Sequence, residues 1–258
     1  MRRIRIIVEY EGTNYVGWQQ QPNGVSVQEL LQNALFELTG ERLCVHGSGR
    51  TDSGVHARAQ VAHFDCEARM PADKFAIAMN THLPADVRVL YSDEADESFH
   101  SRFTPKLKCY RYTVRLGAHA DVFSRSTALH VHRPLSFEAM QCAACDLVGR
   151  HDFRAFMSAG VTMENTVRTV SRCGWVRDGQ LLHLYIAADG FLYNMVRIAA
   201  GTLIEIGGGR LPVDTIKKAI ESHDRADAGA TAPAHGLMLY SVRYEGGFDT
   251  EEALNGVI

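Results

Sequence analysis

The sequence lacks long apolar runs and an excess of basic residues, and each absence excludes a class of protein. Its apolar runs are too short to span a bilayer, and charge interrupts the apolar start of the chain. That start therefore predicts a first strand rather than a signal peptide, and we expect a soluble, cytoplasmic protein. The formal net charge of −3 is not typical of nucleic-acid binders, although a near-neutral total can still include a basic cleft.

Metal and nucleotide motifs are also missing. The six cysteines are scattered, and only Cys142 and Cys145 have the spacing of metal ligands. No second pair matches them and they lie in a helical pattern, so we interpret them as structural. Four further potential ligands are close in sequence but lack the spacing that places two ligands on one face: His46, Asp52, His56 and His63. Nothing matches a phosphate-binding P-loop, so we expect no metal and no cofactor.

The order of periodic segments predicts an α+β fold. Residues 1–104 give strand, helix, strand, strand, helix, strand, which is the order of a ferredoxin-like unit, and residues 105–258 repeat it apart from one extra short helix. A polar, irregular stretch before Pro105 marks the boundary between these two α/β halves. We expect the halves to form a central, mainly antiparallel sheet flanked by helices, with an active-site cleft between them.

Several individual elements can be bounded from the sequence. A capping-box pattern at Ser26 begins a helix that ends at Gly40, and Asp178 and Gly179 predict the turn of a hairpin. Further predicted elements are a strand over residues 42–46, a helix over 72–83, a helix over 191–206 and a last strand over 237–244.

A glycine-rich stretch, residues 47–58, is the strongest candidate for a functional loop. It contains the carboxylate Asp52, with Arg50 before it and His56 and Arg58 after it. A carboxylate at the tip of such a loop, surrounded by basic side chains, can meet an anionic ligand without being neutralised. On composition alone, a turn in which Asp52 makes a local cap explains the pattern better.

Two further segments strengthen the functional interpretation. Arg197 lies in a helix that is apolar nearly all round, so a buried guanidinium there needs an anionic partner, such as a ligand phosphate or Asp52. It could instead reach the surface or pair with Glu205 or Asp189.

Tyr110 and Tyr112 share one face of a strand flanked by basic residues, which suits either two core tyrosines or one ring that stacks on a base. The loop over residues 11–24, with Tyr15 and Trp18, suits base contact and surface packing about equally.

Six collinear motifs resemble those of the tRNA pseudouridine synthase A family, from the first strand to the last. The core motif is residues 49–57, GRTDSGVHA, in which Ser53 stands where the family commonly has alanine. The others are YEG with GWQ (10–12, 17–19), KCYRY (108–112), HDFRAF (151–156), FL with MVR (191–192, 195–197) and APAHGL (232–237).

This resemblance implies an isomerase that converts uridine to pseudouridine at nucleotides 38, 39 and 40 of the tRNA anticodon stem-loop, as a homodimer without a cofactor. In it, Asp52 would either attack the C1′ carbon or abstract a ribose proton to give a glycal, Arg197 would keep Asp52 ionised, and Tyr110 would stack on the uracil. Arg50 would bind backbone phosphate or help to displace the target base. Arg58 and His56 would also bind the substrate, and Leu237 would pack against the flipped base.

Two alternatives remain open at this stage. Paired ferredoxin-like units also occur as RNA-binding modules without catalytic activity, although such a module has no reason to keep a buried Arg197 beside a carboxylate. A metal-dependent phosphoesterase that uses the histidines near Asp52 would be sensitive to chelators.

Overall fold

A computed structural model of the protein describes residues 1–161 and 163–255. Two compact units result: the first is Met1–Lys106 together with the described residues that follow Leu237, and the second is Leu107–Leu237. No helix in the described ranges is long and apolar enough to cross a bilayer.

The described residues form ten strands and six helices. The strands are β1 (Arg2–Tyr10), β2 (His46–Gly47), β3 (His56–Cys66), β4 (Val87–Ala95), β5 (Pro105–Leu116), β6 (Leu129–Val131), β7 (Gly149–Asp152), β8 (Val167–Asp178), β9 (Leu181–Ala188) and β10 (Leu237–Tyr244). The helices are α1 (Val27–Thr39), α2 (Phe75–Met79), α3 (Phe137–Cys145), α4 (Met195–Gly207), α5 (Thr215–Ser222) and α6 (Thr250–Asn255).

The sheet of the first unit has the order β4-β1-β3-β10. β1 is antiparallel to β3 and β4, whereas β10 runs parallel to β3. β2 and β10 pair with different ends of β3: His46 is opposite His63, and Met238 is opposite His56. The segment between β2 and β3 is therefore a loop that returns to the beginning of β3, beside β10.

The sheet of the second unit has the order β5-β9-β8-β7, all antiparallel, with the short β6 parallel to β5. The turn between β8 and β9 begins after Asp178, and Gly179 there has a φ of 56°, which confirms the predicted hairpin. α3 packs on β8 and on α4. The predicted α+β class, with mainly antiparallel strands and flanking helices, is confirmed.

Local signals in the sequence fix the ends of α1. The Ser26 hydroxyl accepts a hydrogen bond of 3.2 Å from the backbone amide of Glu29, and Gly40 ends the helix with a φ of 75°. Leu31 and Leu35 on its inner face are fully buried. The strand predicted over residues 237–244 also coincides with β10.

Other predicted boundaries differ from the structure. The helix predicted over residues 72–83 is a short 3-10 turn followed by α2, which ends because the Asn80 side chain makes two hydrogen bonds to Val89 of β4. α4 begins at Met195 rather than at residue 191, because Asn194 has a left-handed φ of 63° that no helix interior allows. Of the strand predicted over residues 42–46, only His46 lies in a strand, the two-residue β2.

The division into units differs from the predicted halves at one point. The first unit ends at Lys106, close to the predicted boundary at 104, but β10 lies with the first unit and not with residues 107–237. The reason is the parallel pairing of β10 with β3, in which Met238 lies opposite His56, 182 positions earlier in the chain. Sequence order alone assigns β10 to the second half.

Candidate active site

The loop between β2 and β3 holds Asp52 in a fixed turn. The backbone amide of Val55 donates a hydrogen bond of 3.1 Å to the Asp52 carbonyl oxygen, and Gly54 between them has a φ of 76°. Asp52 also forms an isolated antiparallel bridge with Gly17. As a residue, Asp52 is half-buried, so it is neither sealed inside the unit nor fully in solvent.

Thr51, next to Asp52, is held from two sides. Its carbonyl oxygen accepts a hydrogen bond of 3.0 Å from the Trp18 amide, and its Oγ1 lies 2.7 Å from the Tyr10 hydroxyl. Burial raises the pKa of Tyr10, so this phenol stays neutral and keeps the hydrogen bond across the physiological range. The end of β1 and the segment after it therefore help to position the loop.

Gln60 of β3 braces the start of the same loop. Its Nε2 donates a hydrogen bond of 2.7 Å to the carbonyl oxygen of Gly49, and its Oε1 accepts from the Ser48 hydroxyl. Gln60 and Ser48 are fully buried. A buried amide whose two ends are both satisfied contributes to a single loop conformation, because an alternative one would leave polar atoms unpaired.

Close backbone approach keeps the neighbouring chain against this loop. A β-carbon at Gly12 would overlap the carbonyl oxygen of Val55, and one at Gly17 would overlap that of Thr51. Gly17 also has a φ of 108°, which side chains rarely adopt. Both positions therefore require glycine.

The basic residues predicted around Asp52 differ in exposure. Arg50 is exposed, and Arg58 is half-buried with its guanidinium carbon 4.9 Å from the centre of the Tyr240 ring. His56 is only 1% exposed, and its Nδ1 accepts a hydrogen bond of 2.9 Å from the Gly12 amide. Arg50 is thus accessible to a ligand, whereas the buried His56 ring fixes the backbone of Gly12 next to the loop.

The two aromatic residues of the loop over residues 11–24 are packed inside the unit. Tyr15 is 6% exposed, with its hydroxyl donating a hydrogen bond of 2.5 Å to Asp86, and Trp18 is 3% exposed. Base contact by these two rings, one of the two open interpretations, does not fit their burial; packing does.

In the second unit, Arg197 is held at the start of α4. Its Nε donates a hydrogen bond of 2.8 Å to the Ala232 carbonyl oxygen, and a terminal nitrogen donates one of 2.8 Å to Asn194 Oδ1. The side chain is half-buried. These contacts restrict the direction of the guanidinium before any ligand binds.

The carboxylates named as alternative partners of Arg197 have other contacts. Glu205 forms ion pairs with Arg133 and Arg210, both at 3.3 Å. Asp189 accepts a hydrogen bond of 3.0 Å from the Thr169 amide. The pairing of Arg197 with Asp52 stays a prediction.

The segment around Ala232 is itself fixed on α4. A β-carbon at Gly201 would overlap the carbonyl oxygen of Ala230, and the Gly229 amide donates a hydrogen bond of 2.9 Å to Thr202 Oγ1. The helix and the segment therefore pack backbone against backbone, and the acceptor for Arg197 is positioned by this contact.

The two tyrosines of β5 have separable surroundings. Tyr112 is fully buried and donates a hydrogen bond of 2.9 Å to the Pro233 carbonyl oxygen, so its hydroxyl has a structural role. Tyr110 is 8% exposed, and its ring lies edge-on to Phe191 with 5.1 Å between ring centroids. Leu237, the first residue of β10, is 6% exposed.

Metal ligation has no support among the residues that the structure describes. Within them, no group of three or more His, Cys, Asp or Glu side chains could hold a metal ion. His46 and His63 stack on each other with ring centroids 5.0 Å apart, and the Nδ1 atom of His63 is paired with the Ser101 hydroxyl at 2.8 Å.

The supporting residues Tyr10 and Gln60 were not identified from the sequence. Gln60 had a usable signal, because an amide in the middle of an alternating, buried strand must have hydrogen-bond partners. For Tyr10 the sequence held no signal beyond its place in the YEG motif, because its hydrogen-bond partner, Thr51, is 41 residues away.

Comparisons with known proteins agree with the motifs. The family described as tRNA pseudouridine synthase matches residues 6–104 and 143–245. The chain is 45% identical to tRNA pseudouridine synthase A of Acetivibrio thermocellus over 244 residues, which is 95% of this chain and 100% of that protein.

Other relatives are equally similar. The proteins of the same name from Halalkalibacterium halodurans and Citrifermentans bemidjiense are 46% and 44% identical, over 92% and 95% of this chain and 91% and 98% of theirs. The chain therefore belongs to the tRNA pseudouridine synthase family, whose members are isomerases that convert uridine to pseudouridine.

Proposed function

We propose that this protein converts uridine to pseudouridine at nucleotides 38, 39 and 40 of the tRNA anticodon stem-loop, and that Asp52 is the reacting carboxylate. The observation that carries the proposal is the Asp52 loop: a half-buried carboxylate on a turn braced by the buried side chains of Tyr10 and Gln60. The match of the GRTDSGVHA segment to the family motif supports the same assignment.

The reaction needs a carboxylate but no redox group. The N1–C1′ bond of the nucleoside breaks, the uracil turns, and a C5–C1′ bond forms while the proton on C5 is lost and N1 gains one. Positive charge develops at C1′ during cleavage, and a carboxylate can trap or stabilise it, as in glycoside hydrolysis. We infer that Asp52 has this role and that no cofactor takes part.

The remaining site residues are assigned from the resemblance of their motifs to those of the family. Tyr110 would stack on the target uracil and take its C5 proton, and Arg197 would lower the pKa of Asp52 by about 1–3 units if the two pair. Leu237 would pack against the flipped base.

The exposed Arg50 would contact a backbone phosphate or help to displace the target base. The target must leave its stack, because a stacked uridine does not expose C1′. Arg58 of β3 would add positive charge near that phosphate, and His56 would support the loop that carries Arg50. As in the family it resembles, we expect the protein to act as a homodimer in the cytoplasm.

The test is to incubate the protein, with EDTA present, with unmodified tRNA transcripts that carry uridine at these positions. Pseudouridine is then mapped by carbodiimide treatment and primer extension. We expect stops in the anticodon stem-loop only. Tight binding without stops would favour an RNA-binding module without catalytic activity, and activity that EDTA removes would indicate a metal.

A further inference from the structure

An exposed phenylalanine adjoins a cluster of three histidine rings in the first unit, of which His46 and His63 are stacked and His100 meets His63 edge-on. Phe103 is 75% exposed, and its ring centroid lies 4.3 Å from that of His100, with 34° between the planes. His100 lies 4.7 Å from His63, and His63 stacks on His46. These four residues, which we name the ring cluster, lead from the buried His63 to the solvent-exposed Phe103.

Hydrogen bonds hold the turn that presents Phe103. Ser101 is fully buried, and its hydroxyl donates a hydrogen bond of 2.6 Å to the His46 carbonyl oxygen. The Tyr244 hydroxyl donates one of 2.8 Å to the Ser101 carbonyl oxygen, and Thr104 Oγ1 donates one of 2.7 Å to that of His100. An exposed ring on a fixed turn loses little conformational freedom when it binds, which favours affinity.

The charges around the ring cluster suit an anionic partner. Arg102 is exposed, with its guanidinium carbon 5.8 Å from the centre of the Phe103 ring. The nearby carboxylate of Asp65 is neutralised by two hydrogen bonds of 2.8 Å from Arg3. Burial lowers the pKa of His63 to about 4, so this inner ring is neutral at pH 7.

A nucleic acid fits this surface better than a protein does. The exposed aromatic ring is bordered by arginine and histidine, whereas the centre of a protein interface is mostly apolar. Aromatic rings flanked by basic residues bind unpaired bases by stacking and hold the adjoining phosphates. His46 begins β2, which leads into the Asp52 loop, so RNA bound here would lie on the same unit as the candidate carboxylate.

We propose that the ring cluster and Arg102 form an RNA-contact surface, in which Phe103 stacks on an unpaired base of the tRNA substrate and Arg102 binds a neighbouring phosphate. This inference rests on the proposed function, because it takes tRNA as the ligand. It adds a positioning surface outside the residues assigned to the chemistry.

The experiment compares Phe103→Ala, Phe103→Trp and Arg102→Gln with a control, Phe123→Ala, which removes an even more exposed ring (94%) from the second unit. Binding of an unmodified tRNA transcript is measured at several salt concentrations, together with kcat and KM for pseudouridine formation. Thermal unfolding checks that each variant folds, which we expect because Phe103 is mostly exposed.

We expect Phe103→Ala to raise Kd and KM about 5- to 30-fold with kcat within about twofold, since stacking on one base contributes about 1–2 kcal/mol. Phe103→Trp should restore binding, Arg102→Gln should reduce the salt slope by about 1, and Phe123→Ala should change neither.

Unchanged binding in Phe103→Ala would overturn the inference, as would equal losses in Phe103→Ala and Phe123→Ala. A change in oligomeric mass of Phe103→Ala with normal RNA binding would overturn it too, and would identify a protein contact. If the unmodified protein binds the transcript but forms no pseudouridine, the proposed function fails while the Kd values still decide the role of Phe103.

Discussion

The two units hold their candidate functional side chains by different means. Asp52 lies on a loop whose position depends on hydrogen bonds from buried polar side chains, those of Tyr10 and Gln60. Arg197 lies on a helix, and its acceptor Ala232 belongs to a segment that packs backbone against backbone on that helix at Gly201. The Asp52 loop thus depends on buried side chains of two neighbouring strands, whereas the acceptor of Arg197 is positioned mainly by the packing of its own segment on the helix.

The largest effect on stability should come from breaking the backbone contact in the second unit. In Gly201→Ala the new methyl group would collide with the Ala230 carbonyl oxygen, and overpacking of this kind costs about 3 kcal/mol of unfolding free energy. Gly190→Ala is the matched control, because its β-carbon would meet only Arg168 side-chain atoms, at 3.4 Å or more.

Chemical denaturation of both variants measures the difference. Equal stability of Gly201→Ala and Gly190→Ala would mean that the segment around Ala230 moves aside easily, and the close packing would not position Arg197.

Substitution of the two tyrosines of β5 should distinguish a catalytic role from a structural one. We expect Tyr110→Phe to fold normally and to lose about 100-fold in kcat, the usual contribution of one acid–base group. Tyr112→Phe should keep kcat but lose about 1 kcal/mol of stability, because the Pro233 carbonyl oxygen loses its donor. Pseudouridine formation and thermal unfolding are measured for both. If Tyr110→Phe reacts at the normal rate, Tyr110 is a core residue like Tyr112.

Acid should destabilise the first unit through His63. The pKa of His63 in the folded protein is about 4, below the unfolded value of about 6.5. Burial lowers it most, and the positive charges of His100, Arg3 and His46 lower it further, whereas Asp65 raises it. The unfolded chain therefore binds more protons between these two values, and stability falls as the pH drops from about 6.5 to 4, by about 2 kcal/mol.

The measurement is unfolding by urea between pH 7.5 and 4.5, with His63→Gln as the variant and His130→Gln as the control. His63→Gln should flatten the dependence. An unchanged slope in that variant would mean that another group is responsible.

The smallest effect concerns the polar brace on the Asp52 loop. Tyr10→Phe removes the hydrogen bond to Thr51 and should cost about 1 kcal/mol of stability, with a few-fold loss in kcat because the carboxylate is less firmly directed. The free energy of unfolding is also measured for Thr51→Val and for the double variant, which completes a double-mutant cycle. Additive losses would show that the two hydroxyls do not act together.

Local signals predicted much of this fold. Ser26 and Gly40 gave the limits of α1, and Asp178 with Gly179 gave the hairpin, because caps and tight turns depend on a few neighbouring residues. The predicted start of α4 was wrong, because no feature of the sequence indicated that the backbone of Asn194 is left-handed. The parallel pairing of β10 with β3 joins distant segments, and no local pattern contains that information.

The sequence predicted some residues of the candidate site and missed others, again because local patterns do not contain contacts between distant segments. The GRTDSGVHA segment made Asp52 identifiable, and the fixed loop around it is what a reacting carboxylate needs. The burial of His56 and the role of Tyr10 depend on tertiary contacts, of His56 with Gly12 and of Tyr10 with Thr51, so they emerged only from the structure. The sequence pointed to the candidate carboxylate, and the structure added the residues that hold its loop.

The central claim is that Asp52 reacts, and Asp52→Asn tests it most directly. The substitution keeps the shape of the side chain and removes its charge. Single-turnover pseudouridine formation and tRNA binding are measured on the same transcript. We predict no product above a trace while Kd changes by less than about threefold, since the loss falls on the transition state rather than on binding. A rate within tenfold of the unmodified protein would contradict the account.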